Sequence, residues 1–92
     1  MEPLGTGKYK YEPVPNWAKL PSDLLLGDVA GIAVDDRDRV YLFNRGNHPV
    51  VVLSQSGELI STWGEGVFSN PHGASIGPDQ CIYLTDNFDH TV

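Results

Sequence analysis

Two side chains stand out chemically in this sequence, Arg45 and His72. Arg45 interrupts a polar stretch, Phe43-Asn-Arg-Gly-Asn-His48. A guanidinium is a planar, permanently charged fork that suits a carboxylate and can steady a phenolate. His72 stands between Pro71 and Gly73, where a loop is expected to enter a strand. A neutral imidazole in such a place is a zinc donor, although a catalytic zinc keeps about three protein ligands and an open position. The plainer alternatives are also clear. Arg45 could be a solvated charge or a structural partner of Asp86 or Asp89, and His72 a loop residue that fills a Pro-x-Gly position.

The elements that must hold these two residues follow from an internal repeat. Gly31 to Val50 aligns without a gap on Gly73 to Val92, at a constant offset of 42 (73 − 31). Gly31/Gly73, Tyr41/Tyr83, Leu42/Leu84, His48/His90 and Val50/Val92 are identical, and Val34/Ile76 and Val40/Ile82 nearly so. A period of roughly 40 residues is the size of one propeller blade. Arg45 has Asn87 as its counterpart, so the guanidinium is special to the first copy. His48 and His90 recur, which points to hydrogen bonds that tie a loop to its own blade. Tyr41 and Tyr83 recur within strands and read as packing between blades rather than as a general base. Trp17 and Trp63 read as core or wedge residues.

The predicted fold is all-β. Gly31–Val34, Val40–Asn44, Val50–Ser54 and Leu59–Trp63 are expected strands, separated by the polar turns 35–38 and 55–58 and the loop 45–49. The continuous apolar run Val50-Val-Val-Leu53 implies a sheet covered on both faces, as neighbouring sheets cover a propeller blade. In such a meander the loops 45–49, 64–72 and 87–91 share one edge, so Arg45 and His72 reach the same rim. Residues 1–28 lie outside the repeat as an extension. Lys8–Val14 is expected to include a strand that completes the last blade. Residues 29–70 form the first blade and 71–92 the first half of a second. Because a repeat cannot bury its apolar faces alone, the chain reads as the N-terminal part of a longer protein, inactive and poorly soluble by itself.

A net charge of −6 on ninety-two residues argues against a nucleic acid or anionic membrane partner, which would want a basic patch. Ten glycines and seven prolines supply turns, in keeping with a β-rich chain. The single cysteine, Cys81, precludes a disulfide framework and reads as a buried, inert thiol. No apolar stretch nears the roughly 18 residues of a membrane span, and the start of the chain lacks signal-peptide character, which favours the cytoplasm.

Gly31-Ile-Ala-Val-Asp, Val40-Tyr and Gly46-Asn-His48 resemble the NHL repeat of six-bladed β-propellers. Val29-Ala-Gly-Ile-Ala-Val-Asp35, Phe43-Asn-Arg-Gly-Asn-His48 and Pro71-His-Gly73 together resemble the peptidyl-α-hydroxyglycine α-amidating lyase family, most of all its bacterial members. The resemblance runs from about Trp17 to Val92. It implies an enzyme that cleaves a peptide ending in α-hydroxyglycine to the peptide amide and glyoxylate. It implies further a zinc ion held by histidines from different blades, His72 among them, and Arg45 as an active-site arginine. A calcium ion would take the backbone carbonyls of Ile32 and Ala74. The remaining ligands and the catalytic tyrosine would belong to later blades of a monomeric propeller, whose partner is a small peptide-like substrate. Asn44 and Asn47 depart from the animal members, which carry His and Asp there, and imply a less charged rim. A non-enzymatic propeller that binds a protein through its rim loops is the alternative, and a calcium-dependent lactonase a third.

Overall fold

A computed structural model describes residues 4–7, 9–88 and 91–92; His90 and Asp89 therefore lie outside the described residues. All regular elements among these are strands: β1 (Leu4–Thr6), β2 (Tyr9–Tyr11), β3 (Val29–Val34), β4 (Val40–Asn44), β5 (Val50–Leu53), β6 (Leu59–Trp63), β7 (Pro71–Ile76) and β8 (Ile82–Asp86). Strands β3 to β6 form one antiparallel meander, β7 and β8 begin a second sheet, and β1 pairs with β2 in a separate hairpin. The fold is thus all-β, one blade and the first half of another. The Lys8–Val14 region contributes β2, whose partner here is β1; Lys8 itself is outside the described residues.

The repeat extends to backbone detail. Strands β3/β7 and β4/β8 start and stop 42 residues apart (71 − 29, 82 − 40). Asp38 and Gln80 both adopt left-handed conformations, at φ 60 and 62, in the hairpin turns. Each first strand carries an irregularity at the same place, between Val29 and Gly31 and between Pro71 and Gly73. The first strands of the two sheets lie against each other. Gly31 makes that approach possible, because a Cβ there would sit 2.7 Å from the Ala74 nitrogen.

The core explains why the strand sequence does not alternate. Along β4 and β5, Leu42, Val51 and Leu53 point to one face, whereas Phe43, Val50 and Val52 point to the other. The second face is covered by the second sheet through Leu84, Ala74 and Ile82, with Phe68 packed edge-on to Phe43 at 4.7 Å between ring centroids. The first face is covered differently from expectation. Not a sheet but the extension lies on it, through Trp17, Leu20, Leu24 and Leu26. That segment is stitched to the β5–β6 turn: Trp17 Nε1 donates to the Gln55 carbonyl (3.0 Å) and the Lys19 amide to the Gly57 carbonyl (2.8 Å). Gly57, at φ 88, leaves no space for a side chain beneath the Trp17 carbonyl. A closely packed strip with both polar ends satisfied can replace a sheet as cover.

Cover is incomplete elsewhere. Ile32 and Val34 of β3 are 59% and 52% exposed. Trp63 is exposed on the edge strand β6, so it is not a core residue. Cys81 is exposed too, against the expectation of a buried thiol. It sits in the turn just before β8, where no third strand of its sheet lies among the described residues.

Candidate functional site

The corner after β4 is built around Asn44, which is fully buried. Its Oδ1 accepts from the amides of Gly27 (3.1 Å) and Gly46 (2.8 Å), and its Nδ2 donates to the carbonyls of His48 (2.7 Å) and Pro49 (3.2 Å). All four capacities of the amide are used, so the loop cannot slide. Asn44 is therefore a structural pin beneath the rim. Arg45 follows directly. Its amide donates to the Asp28 carbonyl (3.0 Å), and its Nε donates to the Pro71 carbonyl (3.0 Å). Gly46 must be small there, because a Cβ would come within 2.7 Å of the Gly27 nitrogen.

The Arg45–Pro71 bond joins the first blade to the entry of β7, where His72 sits. Pro71 pairs with Asp86 and Gly73 with Thr85, so His72 is the extra residue of a bulge. A bulge re-aims the side chain it carries, and the His72 side chain is exposed. Its counterpart at the first bulge is Ala30 (72 − 42). The loops on this edge meet as expected: His48 Nδ1 lies 3.3 Å from Glu65 Oε1, and Asn87 donates its amide to the Asn70 carbonyl (3.3 Å). The Glu65 carboxyl is lowered by its own backbone amide first and then by His48. Ile32 in β3 and Ala74 in β7 lie on the two facing first strands: Ala74 is the residue that Gly31 approaches, and Ile32 is the next residue after Gly31.

As to the metals that the resemblance implies, the described residues hold no cluster of three His, Cys, Asp or Glu side chains. His72 fits as a single donor, because its side chain is exposed. Main-chain oxygens on two facing strands fit the donor chemistry of calcium.

The opposite edge is structural. Asp35 Oδ1 accepts from the amides of Arg37 (2.9 Å) and Arg39 (3.0 Å), and Oδ2 from Arg39 Nε (2.6 Å) and the Tyr41 hydroxyl (2.9 Å). Burial pushes this carboxyl up, but the hydrogen bonds outweigh it, led by the Arg39 amide and the Tyr41 hydroxyl. The net effect lowers it from 3.8 to about 2. Tyr41 is raised by burial and by Asp35, which keeps it a phenol rather than a base. Tyr83 likewise donates to Asp79 (2.8 Å) and is raised by that bond. Neither tyrosine is prepared for proton abstraction.

What the motifs missed are the groups that hold Arg45: the Asp28 and Pro71 carbonyls and the Asn44 amide. A signal existed for one of them. Asn44 and Asp86 are polar residues at the same repeat position, each closing an apolar strand.

An all-β chain with paired blade-like sheets and an arginine tied to the entry of the next blade belongs with proteins built of repeated sheets. No protein-family profile matches it. It is 27% identical to the peptidylglycine alpha-amidating monooxygenase of Rattus norvegicus over 116 aligned positions, covering 99% of this chain and 12% of the relative. The Mus musculus protein of that name matches to the same extent. The chain therefore spans 12% of the curated relatives' length, and its distant similarity is to an amidating enzyme. No helix among the described residues is long and apolar enough to cross a membrane.

Proposed function

We propose that this chain is part of a metal-dependent lyase that cleaves a peptidyl-α-hydroxyglycine to a peptide amide and glyoxylate. The observation that carries the reading is the Arg45 Nε–Pro71 carbonyl bond, which holds a guanidinium next to the residue preceding His72. The distant similarity to amidating enzymes supports it. Because the match covers 12% of those relatives, their named oxygenase activity need not be that of this segment.

Arg45, with Nε fixed, presents its remaining N–H donors to the carboxylate of the substrate and orients it. His72 is one of the residues that would hold zinc, and the carbonyls of Ile32 and Ala74 would hold calcium. Zinc, when bound, makes the hydroxyl of the carbinolamide more acidic. A base from a later blade takes the hydroxyl proton. The electron pair forms the carbonyl of glyoxylate, the C–N bond breaks, and the amide nitrogen receives a proton. The step is an elimination, and no water is consumed. The substrate is small and peptide-like, and a closed propeller would act as a monomer.

The test is glyoxylate release from a peptidyl-α-hydroxyglycine by the complete propeller that carries this chain, with and without a chelator. Metal-dependent release is expected. If none occurs, the lyase reading is lost, and a binding propeller whose rim loops meet a protein partner takes its place.

A further inference from the structure

Asp86 is buried at the corner after β8 and faces main-chain donors. Oδ2 accepts from the amides of Ser69 (2.5 Å) and Asn70 (3.0 Å), and Oδ1 accepts from the amide of Phe88 (3.0 Å). Its Cα pairs with that of Pro71. One carboxylate thus grips the two residues before Pro71 and the loop beyond β8. Pro71 is the residue whose carbonyl holds Arg45, and His72 is the next residue along.

We infer that Asp86 is a positioning residue for the pair Arg45 and His72. It acts through the main chain, by fixing the 69–70 segment from which the Pro71 carbonyl and the bulge at His72 follow. The catalytic sense of this role rests on the lyase reading; the mechanical link does not. A carboxylate is suited to the task because it accepts on both oxygens. The equivalent Asn44 has one accepting oxygen and serves the amides at the two matching positions, Gly27 and Gly46 (69 − 42, 88 − 42). Among the described residues, no bond to Asn44 matches the one from Asn70, so the corner that precedes His72 carries an additional tie to its carboxylate.

The experiment uses the complete propeller with Asp86→Ala, Asp86→Asn and, as a stability control remote from the rim, Leu53→Ala. Two readouts need no turnover: hydrogen exchange of the Arg45 Nε–H by NMR, and zinc affinity by titration of the metal-stripped protein. Asp86→Ala is expected to speed the exchange and weaken zinc, each by on the order of tenfold, the lower end for losing an outer support of a metal site. Asp86→Asn, which can imitate Asn44, should recover most but not all of both. Leu53→Ala should lower the melting temperature and leave both readouts near wild type. Unchanged exchange and affinity in Asp86→Ala would overturn the inference, as would equal losses in Leu53→Ala. If Asp86→Ala does not fold, Asp86→Asn decides, and wild-type values in that variant would overturn it. Should the intact protein release no glyoxylate, the function fails while these readouts still judge the role of Asp86.

Discussion

The corner after β4 and the corner after β8 share one wiring diagram and differ in what they do with it. In both, a buried amide or carboxylate accepts from an amide of the preceding segment (Gly27, Ser69) and from one two residues on (Gly46, Phe88). The next residue's amide donates to a preceding carbonyl, Arg45 to Asp28 and Asn87 to Asn70. The amides of Asn44 and Asp86 donate to the carbonyls of Pro49 and Thr91. The side chains then diverge. Asn87 turns back and accepts from Asn70 of its own corner, whereas Arg45 reaches across to Pro71 of the neighbouring blade. The difference teaches that the repeat supplies a frame with an outward position. The occupant of that position decides whether a corner closes on itself or joins its neighbour.

The sharpest way to break the comparison is to exchange the occupants. Arg45→Ala is expected to reduce kcat/KM for glyoxylate release by roughly a hundredfold or more, the usual loss for one partner of a charge-assisted pair. Arg45→Lys should recover little, since an ammonium lacks the planar fork. Asn87→Ala should change the rate by less than about threefold, because surface contacts of this kind matter little. Equal losses at 45 and 87, measured by steady-state kinetics, would erase the distinction. Next in size is Gly46→Ala, whose Cβ would press on the Gly27 nitrogen and Asn44 Oδ1. Overpacking of this kind costs about 1–3 kcal/mol, against less than about 0.5 for Phe88→Ala on the exposed counterpart. Thermal melts of the two variants give the comparison directly.

A smaller effect separates the two hairpins at the other edge. Asp35 and Asp79 are both lowered below the ordinary carboxyl value, Asp79 chiefly by the Tyr83 hydroxyl. A carboxyl lowered in the fold contributes stability that is complete above its unfolded pKa and fades as pH falls through the folded value. For Asp35 that window runs from about 4 down to about 2. Asp35→Asn is therefore expected to flatten acid unfolding below pH 4 more than Asp79→Asn does. Denaturant midpoints across that range measure it.

Much of this was legible in the residues, and the reasons are physical. The 42-residue offset persisted because the same apolar and glycine positions must recur wherever one sheet packs on the next, as Gly31 against Ala74 shows. The ends of β4 and β6 followed from Val40–Asn44 and Leu59–Trp63, bounded by turn residues. What pattern could not reveal was the cover on the first face. Trp17, Leu20, Leu24 and Leu26 have no strand periodicity, and only the contacts with Leu42, Val51 and Leu53 give them meaning. Nor could it reveal the anchors of Arg45, because main-chain carbonyls have no signature. The exposure of Cys81 was misjudged for a related reason: an apolar run says where a strand begins, not how much of its first turn is covered.

The strip formed by Trp17 to Leu26 precedes the sheet on which it lies. During synthesis it leaves the ribosome before β3 exists, so every strand of the first meander emerges with its lining already waiting. Translation halted after Trp63 has cleared the exit tunnel should therefore yield a sheet with one finished side, detectable as a folding-force signal. Trp17→Ala should weaken that signal before any residue of the second sheet has been made.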